Sequence, residues 1–108
     1  METKPVVGQD FDLDVSMETI GGKYNLSNTD WEVEVFVSSE KVVTYSKDQA
    51  TKINDNTYSL PIQTSELGPG RYYAILSVKI PDARFESGYR LESWQKFTGV
   101  TIYPKYDV

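Results

Sequence analysis

Three aspartates at alternate positions, Asp10, Asp12 and Asp14, have a spacing that resembles a cation site. Aspartates two residues apart bind Ca²⁺ when a loop folds them around one ion. Here Phe11 and Leu13 fall between them, and this period of two is typical of a β-strand, in which same-face side chains stand roughly 7 Å apart. One ion cannot be held across that spacing without a second loop. The pattern therefore predicts a solvated acidic strand face, which also discourages pairing with a further strand.

A second pair of carboxylates, Glu32 and Glu34, has the separation of glycosidase catalytic residues, about 5 to 9 Å. That separation arises in any strand with glutamate at alternate positions. The apolar residues Trp31, Val33 and Val35 alternate with the glutamates, so the glutamates are expected on the solvent side. We therefore predict no catalytic role for them.

The composition excludes several function classes. The chain has 108 residues and neither histidine nor cysteine, which removes disulfides, the usual Ser-His-Asp and Cys-His nucleophiles, and zinc sites built from His or Cys. With 11 Lys+Arg against 16 Asp+Glu, the net charge is −5, and no basic surface for nucleic acid is expected. No apolar run approaches the roughly 18 residues of a membrane span, and residues 1–5 lack a signal-peptide core. We predict a protein that is not an enzyme, has no cofactor or metal, binds neither nucleic acid nor membrane, and is cytoplasmic at synthesis.

Period-two alternation of apolar and polar residues recurs along the chain and predicts strands. Pro61 cannot donate a ladder hydrogen bond, so it predicts an edge or a strand end, and the edge at residues 60–62 is a candidate for strand addition. Gly99 is a candidate bulge. The predicted strands cover residues 9–17, 31–37, 42–45, 58–62, 72–80 and 89–103, the last of which is one strand or a bent pair. Residues 47–52 could form a helical turn, but a loop and a short strand are favoured there.

Seven or eight short strands without a convincing helix predict an all-β fold, an immunoglobulin-like Greek-key β-sandwich. Turn signals every 8 to 12 residues are typical of this class. Residues 1–8 are interpreted as an N-terminal lead-in, 9–103 as a single β-sandwich domain, and 104–108 as a C-terminal tail.

The stretch Leu67-Gly68-Pro69-Gly70-Arg71-Tyr72 lies between two apolar segments and predicts a sharp corner. Pro69 restricts its own φ, and Gly70 reaches backbone conformations closed to other residues. The Leu-x-Pro-Gly-x-Tyr spacing is that of the tyrosine corner of Greek-key sandwiches, in which the tyrosine hydroxyl hydrogen-bonds to backbone a few residues upstream. We therefore assign Leu67, Pro69, Gly70 and Tyr72 to a structural corner rather than to chemistry.

Aromatic residues make up 13% of the chain, and not all of them can lie in the core. Trp31 and Tyr72 lie on apolar strand faces and are expected to be packed. Tyr89, Arg90 and Trp94 place aromatic rings beside charge and form the candidate interface, since such groups anchor protein partners or stack on sugars. A protein partner is favoured over a sugar because nothing marks a concave groove. The alternative is that these aromatic residues are only the margin of the core.

Five stretches form a recognisable series: the opening strand at 10–17, Tyr24-Asn25-Leu26-Ser27, the strand at 31–37, Gly70-Arg71-Tyr72, and residues 79–102 with Asp82, Gly88, Arg90 and Phe97-Thr98-Gly99-Val100. Together they resemble the N-terminal domain of phage upper-baseplate (tail) proteins. The resemblance spans residues 9–103, and its Gly-x-Tyr step also occurs in fibronectin type III domains. It implies a small β-sandwich that docks other virion or assembly proteins in a phage or prophage tail or baseplate, without catalysis and with a homo-oligomer among the expected assemblies.

A second hypothesis is an immunoglobulin-like carbohydrate-binding or adhesion module of a bacterial surface protein. It predicts that Trp94 or Tyr89 forms an exposed flat platform on which a glycan stacks. The protein would then lie outside the cell or on its surface.

Overall fold

The alternating pattern of the chain produces β-strands through most of the residues that the structure describes. The computed structural model describes residues 3–16, 18–19, 22–23, 25–38 and 40–105. The predicted places of Met17 in the first strand, of Tyr24 in the baseplate resemblance and of residues 106–108 in the tail lie outside them.

Strands of two to fourteen residues and two single turns of 3₁₀ helix make up the secondary structure of the described residues. The helical turns cover Leu26–Asn28 and Lys47–Gln49. The second turn occupies the place where the sequence favours a loop over a helical turn, and the short strand that follows it begins at Thr51 and extends beyond the predicted range to Asn54. The strands are β1 (Phe11–Ser16), β2 (Glu18–Thr19), β3 (Gly22–Lys23), β4 (Asp30–Ser38), β5 (Lys41–Ser46), β6 (Thr51–Asn54), β7 (Thr57–Ile62), β8 (Gly70–Pro81) and β9 (Tyr89–Ile102).

Seven of these strands form two antiparallel sheets. One sheet has three strands in the order β1-β7-β6, and the other has four in the order β5-β4-β8-β9. Immunoglobulin domains place strands B, E and D in one sheet and C′, C, F and G in the other, so β1 corresponds to strand B and β8 to strand F. This order confirms the predicted all-β Greek-key sandwich. The strands β2 and β3 form a separate two-stranded ribbon between β1 and β4.

The core lies between the sheets because strands of both, such as β4 and β7, bury alternate side chains. Val33 of β4 and Leu60 of β7 are 1% and 0% exposed and approach from opposite sheets. Trp31 is buried, as expected, and its ring meets Tyr58 edge-on with centroids 5.2 Å apart. The Trp31 indole N–H donates to the Leu26 carbonyl at 3.2 Å, which satisfies the polar atom that burial would otherwise leave unpaired.

The strand β8 is central, as its two apolar faces predicted, and it forms a long hairpin with β9. The pairing of these strands shifts near Gly99, where Tyr73 pairs with Phe97 but Arg71 pairs with Thr101, so β9 carries two extra residues. Gly99 has a φ of 85°, and this confirms the predicted bulge.

The prediction that Pro61 lies at a sheet edge or a strand end is correct only in part. The strand β7 lies between β1 and β6, but β6 pairs only with residues 57–59. On the β6 side, Leu60–Ile62 therefore has no paired strand among the described residues. Proline is tolerated at position 61 because β6 does not reach it, so no hydrogen bond from its missing N–H to β6 is lost.

Part of the predicted lead-in belongs to the sandwich. Val6 forms a parallel bridge with Tyr103, just beyond β9. The Val7 N–H donates to the Tyr103 carbonyl at 3.0 Å, and the Tyr103 N–H donates to the Pro5 carbonyl at 2.9 Å. The N-terminal segment therefore pairs next to the end of β9 and not beside β1.

Candidate docking surface

The predicted corner is built around the hydroxyl of Tyr72, whose side chain is fully buried. This hydroxyl donates to the Gly68 carbonyl at 2.7 Å and lies 3.2 Å from the Thr64 carbonyl. The Tyr72 ring meets Phe11 of β1 edge-on at 5.7 Å, so the corner also joins the two sheets. Burial raises the pKa of Tyr72 above its ordinary value, with a smaller contribution from the nearby Tyr45 hydroxyl. The geometry is that of a tyrosine corner, and it performs a structural task.

Thr64 completes this corner, and sequence reasoning missed it. Its side chain is 0% exposed. Its hydroxyl donates to the Gln9 carbonyl at 2.8 Å and accepts from the Gly8 N–H at 2.9 Å. The Thr64 carbonyl also accepts from the Gly68 N–H at 2.9 Å. A threonine in a polar stretch carries no pattern that would mark it, since its partners lie more than 50 positions away.

The outer edge of β1 has no paired strand in the part of the chain that the structure describes. β1 lies at the end of the order β1-β7-β6, and its pairing with β7 runs without a bulge from Phe11 to Ser16. In immunoglobulin domains strand A occupies the place beside strand B. Here that place lies open, because the N-terminal segment pairs beside β9.

The position of Pro61 shows which backbone groups point outward from β1. Asp12 is opposite Pro61, which has no N–H, so this is a pair without direct hydrogen bonds. Such pairs alternate with hydrogen-bonded ones, so Asp12, Asp14 and Ser16 direct their N–H and C=O groups away from β7. These groups are the donors and acceptors that a further strand would use.

An open groove of about 520 Å³ lies beside this edge, and we call it the Trp94 groove. Residues 12–16 of β1 form one wall, and Trp94 with residues 96–98 of β9 form the other. Val33, Ala74 and Leu76 contribute its apolar floor. Trp94 is opposite Leu76 in the pairing of β8 with β9, so both side chains lie on the inner face of the sheet. The Trp94 side chain is nevertheless 43% exposed, because no described strand covers it. The sequence hypothesis that nothing marks a groove was therefore wrong.

Three other edges of the described residues are less suited to accept a strand, whereas β5 and residues 89–97 of β9 are also free on one side. The strand β6 has four residues, includes Lys52 and is bulged next to Ile53. The free part of β7 has three residues and contains Pro61. The end of β9 is bulged at Gly99 and followed by the paired N-terminal segment. Short length, proline, bulges and charged side chains protect natural edges, and of these β1 has only the charged side chains of Asp12 and Asp14.

Comparisons with protein-family models, with curated proteins and with solved structures find no significant match. Membership of the phage baseplate group therefore stays a prediction.

The candidate interface residues Tyr89, Arg90 and Trp94 do not share one surface. Residues at odd and even positions of β9 point to opposite faces, so Tyr89 lies on the outer face and Trp94 on the inner one. They are also about 16 Å apart along the strand. Arg90 shares the inner face with Trp94 but forms ion pairs with Glu92 at 3.2 Å and Asp82 at 3.8 Å. Of the three, only Trp94 belongs to the groove.

The connection between β8 and β9 is a structured tip rather than an open loop. The Asp82 carboxylate accepts from the backbone N–H, Nε and Nη2 of Arg84 at 3.1, 3.0 and 2.7 Å. These hydrogen bonds lower the pKa of Asp82 below its ordinary value. Gly88 closes the tip with a φ of 82°, and Phe85 is 48% exposed on it. A single exposed phenylalanine is common on protein surfaces and by itself indicates no partner.

A second aromatic surface crosses the outer face of the four-stranded sheet, and we call it the outer aromatic row. Phe36 stacks on Tyr73 at 5.7 Å, and Tyr73 meets Phe97 at 5.4 Å. The Arg71 guanidinium lies 4.5 Å from the centre of the Phe97 ring. All three rings are half-buried, so the row is a contiguous and partly exposed aromatic surface.

The acidic residues lie where the strand pattern predicted. Asp10, Asp12 and Asp14 are exposed, and so is Glu32, while Glu34 is partly covered. Among the described residues no group of three or more acidic side chains is arranged to hold a metal ion. The same residues include no helix of the length and hydropathy needed to cross a membrane.

Proposed function

We propose that this protein is a non-enzymatic docking module that binds an extended segment of another protein as a new strand beside β1. The observation that carries the proposal is the regular free edge of β1 next to the Trp94 groove. Strand addition is a recurring mode of peptide recognition, in which main-chain bonds provide affinity and pockets for alternate side chains provide specificity. This moves the predicted addition site from residues 60–62 to β1.

Both halves of that recognition mode are available at this edge. Asp12, Asp14 and Ser16 offer outward N–H and C=O groups, which matches the hydrogen-bonding needs of one short strand. A strand added at the usual spacing of about 4.8 Å lies over the mouth of the groove. Every second side chain of that strand then points toward Val33, Leu76 and Trp94, and Trp94 loses its exposure to water.

The wider setting that we propose is a phage or prophage tail or baseplate, where the partner is another virion or assembly protein. This part rests on the sequence resemblance alone. Genes for portal, tail or baseplate proteins on either side of this gene would support it. A surface-polysaccharide locus would count against it.

The docking proposal is tested by selecting binders from a display library of random peptides about ten residues long. We expect selected peptides to slow hydrogen exchange of the outward amides of Asp12, Asp14 and Ser16. The amides of Leu13 and Val15 already bond to β7, so their exchange should change much less.

Tryptophan fluorescence provides a second readout of the same binding. Trp31 is 5% exposed and should not respond, so the change should come from Trp94 and vanish in Trp94→Phe. Peptides that bind without protecting the β1 amides, or a library without binders, would overturn the proposal.

Carbohydrate binding is kept as a second candidate because of the outer aromatic row. Tyr89 and Trp94 cannot form the predicted platform, since they lie on opposite faces, but Phe36, Tyr73 and Phe97 form a contiguous aromatic surface. A glycan stacked there should bind at least about tenfold more weakly to Phe97→Ala and equally to Trp94→Ala. Calorimetric titration of a glycan panel against both variants checks this, and no binding across the panel would dispose of the candidate.

A further inference from the structure

We infer that the segment accepted by β1 alternates basic and apolar residues. The inference rests on the proposed docking function and adds the chemistry of the partner. Its basis is a juxtaposition on one strand: an acidic row, Asp10, Asp12 and Asp14, on the outer face of β1, and an apolar groove on its inner face.

The acidic row selects the outward residues of the partner. Residues directly opposite each other in neighbouring strands point to the same side of a sheet, with Cβ atoms about 5 Å apart. A residue opposite Asp12 or Asp14 therefore lies on the solvent side, next to a carboxylate. Lysine or arginine there forms a cross-strand ion pair, whereas aspartate or glutamate is repelled.

The groove selects the inward residues of the partner. Residues opposite Leu13 and Val15 point toward the floor formed by Val33 and Leu76 and toward the exposed ring of Trp94. Burying a charge against these side chains is costly, so the inward positions must be apolar.

The charges on the far wall of the groove do not compete with the acidic row. Lys96 is opposite Ala74 and lies on the inner face of β9, where it lines the groove. The outward side chains of a strand added to β1 lie on the opposite, solvent-facing side, away from Lys96. Glu92 is engaged by the Arg90 guanidinium at 3.2 Å.

The same row argues against a second copy as the occupant. Pairing β1 of one molecule with β1 of another would place their aspartates on one face, side by side. Like charges in neighbouring strands are destabilising, and acidic residues on edges prevent such association. The acidic edge therefore excludes copies of itself while it admits a basic segment.

The inference is tested on the peptides selected from the library. In peptides that protect the β1 amides, we expect lysine or arginine at alternate positions and apolar residues between them. The double variant Asp12→Asn/Asp14→Asn should bind these peptides about tenfold more weakly at low salt. The difference should shrink in 0.5 M NaCl, because the Debye length falls from about 10 Å at 0.1 M toward 3 Å at 1 M.

A matched control removes the same charge elsewhere. Glu40→Gln/Glu86→Gln changes two exposed acids away from the groove and should bind like the unmodified protein. Circular dichroism and the denaturation midpoint verify that each variant is folded, and Asp14→Ser replaces the double variant if that one is not.

The outcomes separate the two proposals. Peptides that protect the β1 amides but lack basic alternation, or that bind the asparagine variant equally well, overturn the charge inference and leave docking intact. A library without peptides that protect those amides overturns both.

Discussion

Replacing Gly70 by alanine is expected to lower the free energy of unfolding by about 2–5 kcal/mol. Gly70 has a φ of +136°, a conformation that side-chain-bearing residues rarely adopt. A Cβ at this position would also overlap Cγ1 of Val37 on the neighbouring strand β4. Valine is short and stiff at χ1, so it cannot swing away, and the backbone must move instead. Denaturant unfolding at neutral pH measures the loss.

A nearby glycine provides the control for Gly70. Gly68 also has a positive φ, +78°, but nothing lies within 4 Å of the site where a Cβ would stand. Gly68→Ala should therefore cost only the backbone strain, about 1 kcal/mol. In a double-mutant cycle Val37→Ala should recover part of the loss of Gly70→Ala. Equal costs for the two glycines, or no recovery, would contradict this account of Gly70.

Tyr72→Phe is expected to destabilise the fold by about 1–3 kcal/mol. The change removes the donor to the Gly68 carbonyl at 2.7 Å, while the buried ring keeps its place in the core. The carbonyl is left without that partner in a site largely shielded from water, and this is where a lost hydrogen bond costs most. Thermal and denaturant unfolding give the magnitude. An unchanged midpoint would show that the hydroxyl does not support the corner.

The same variant should change the response to alkaline pH. Burial raises the pKa of the Tyr72 hydroxyl above 10.0 in the folded state, so its contribution is complete below pH 10 and is lost as pH rises through the raised folded value. Tyr72→Phe should therefore flatten part of the fall in stability above pH 10. Part of the remaining loss of stability at high pH should come from Tyr45, because burial raises the pKa of that residue as well. Tyr89→Phe is the control, since among the described residues its hydroxyl makes no hydrogen bond, and it should change stability by less than about 0.5 kcal/mol.

The sequence predicted those features that depend on local pattern. Alternation of apolar residues located the strands, and residues that were apolar on both faces, such as Tyr73 and Ile75, identified β8 as central. The corner spacing identified Tyr72 because proline, glycine and tyrosine each have strong and specific backbone consequences there. In all these cases the determining residues lie within one strand or one turn.

The features that sequence reasoning missed depend on contacts between distant segments. Thr64 receives its role from Gly8 and Gln9, and no local pattern links those positions. Trp94 was grouped with Tyr89 because they are close in sequence, although their parity on β9 separates them. The groove is open because the N-terminal segment pairs beside β9 instead of β1. The sequence pattern of a strand does not indicate which of two sheet edges another segment will join, so the groove could not be predicted.

The pairing of Val6 with Tyr103 places both ends of the described chain at the pole that holds the tyrosine corner. The hairpin tip with Phe85 lies at the opposite pole, since Gly70 pairs with Ile102 at one end of β8 and Pro81 pairs with Tyr89 at the other. A tag, a linker or a second domain joined to either end therefore leaves from the same side, while the tip stays clear. With its ends adjacent, the sandwich can also be inserted into a loop of another protein, or cut and rejoined as a circular permutant, without crossing the groove.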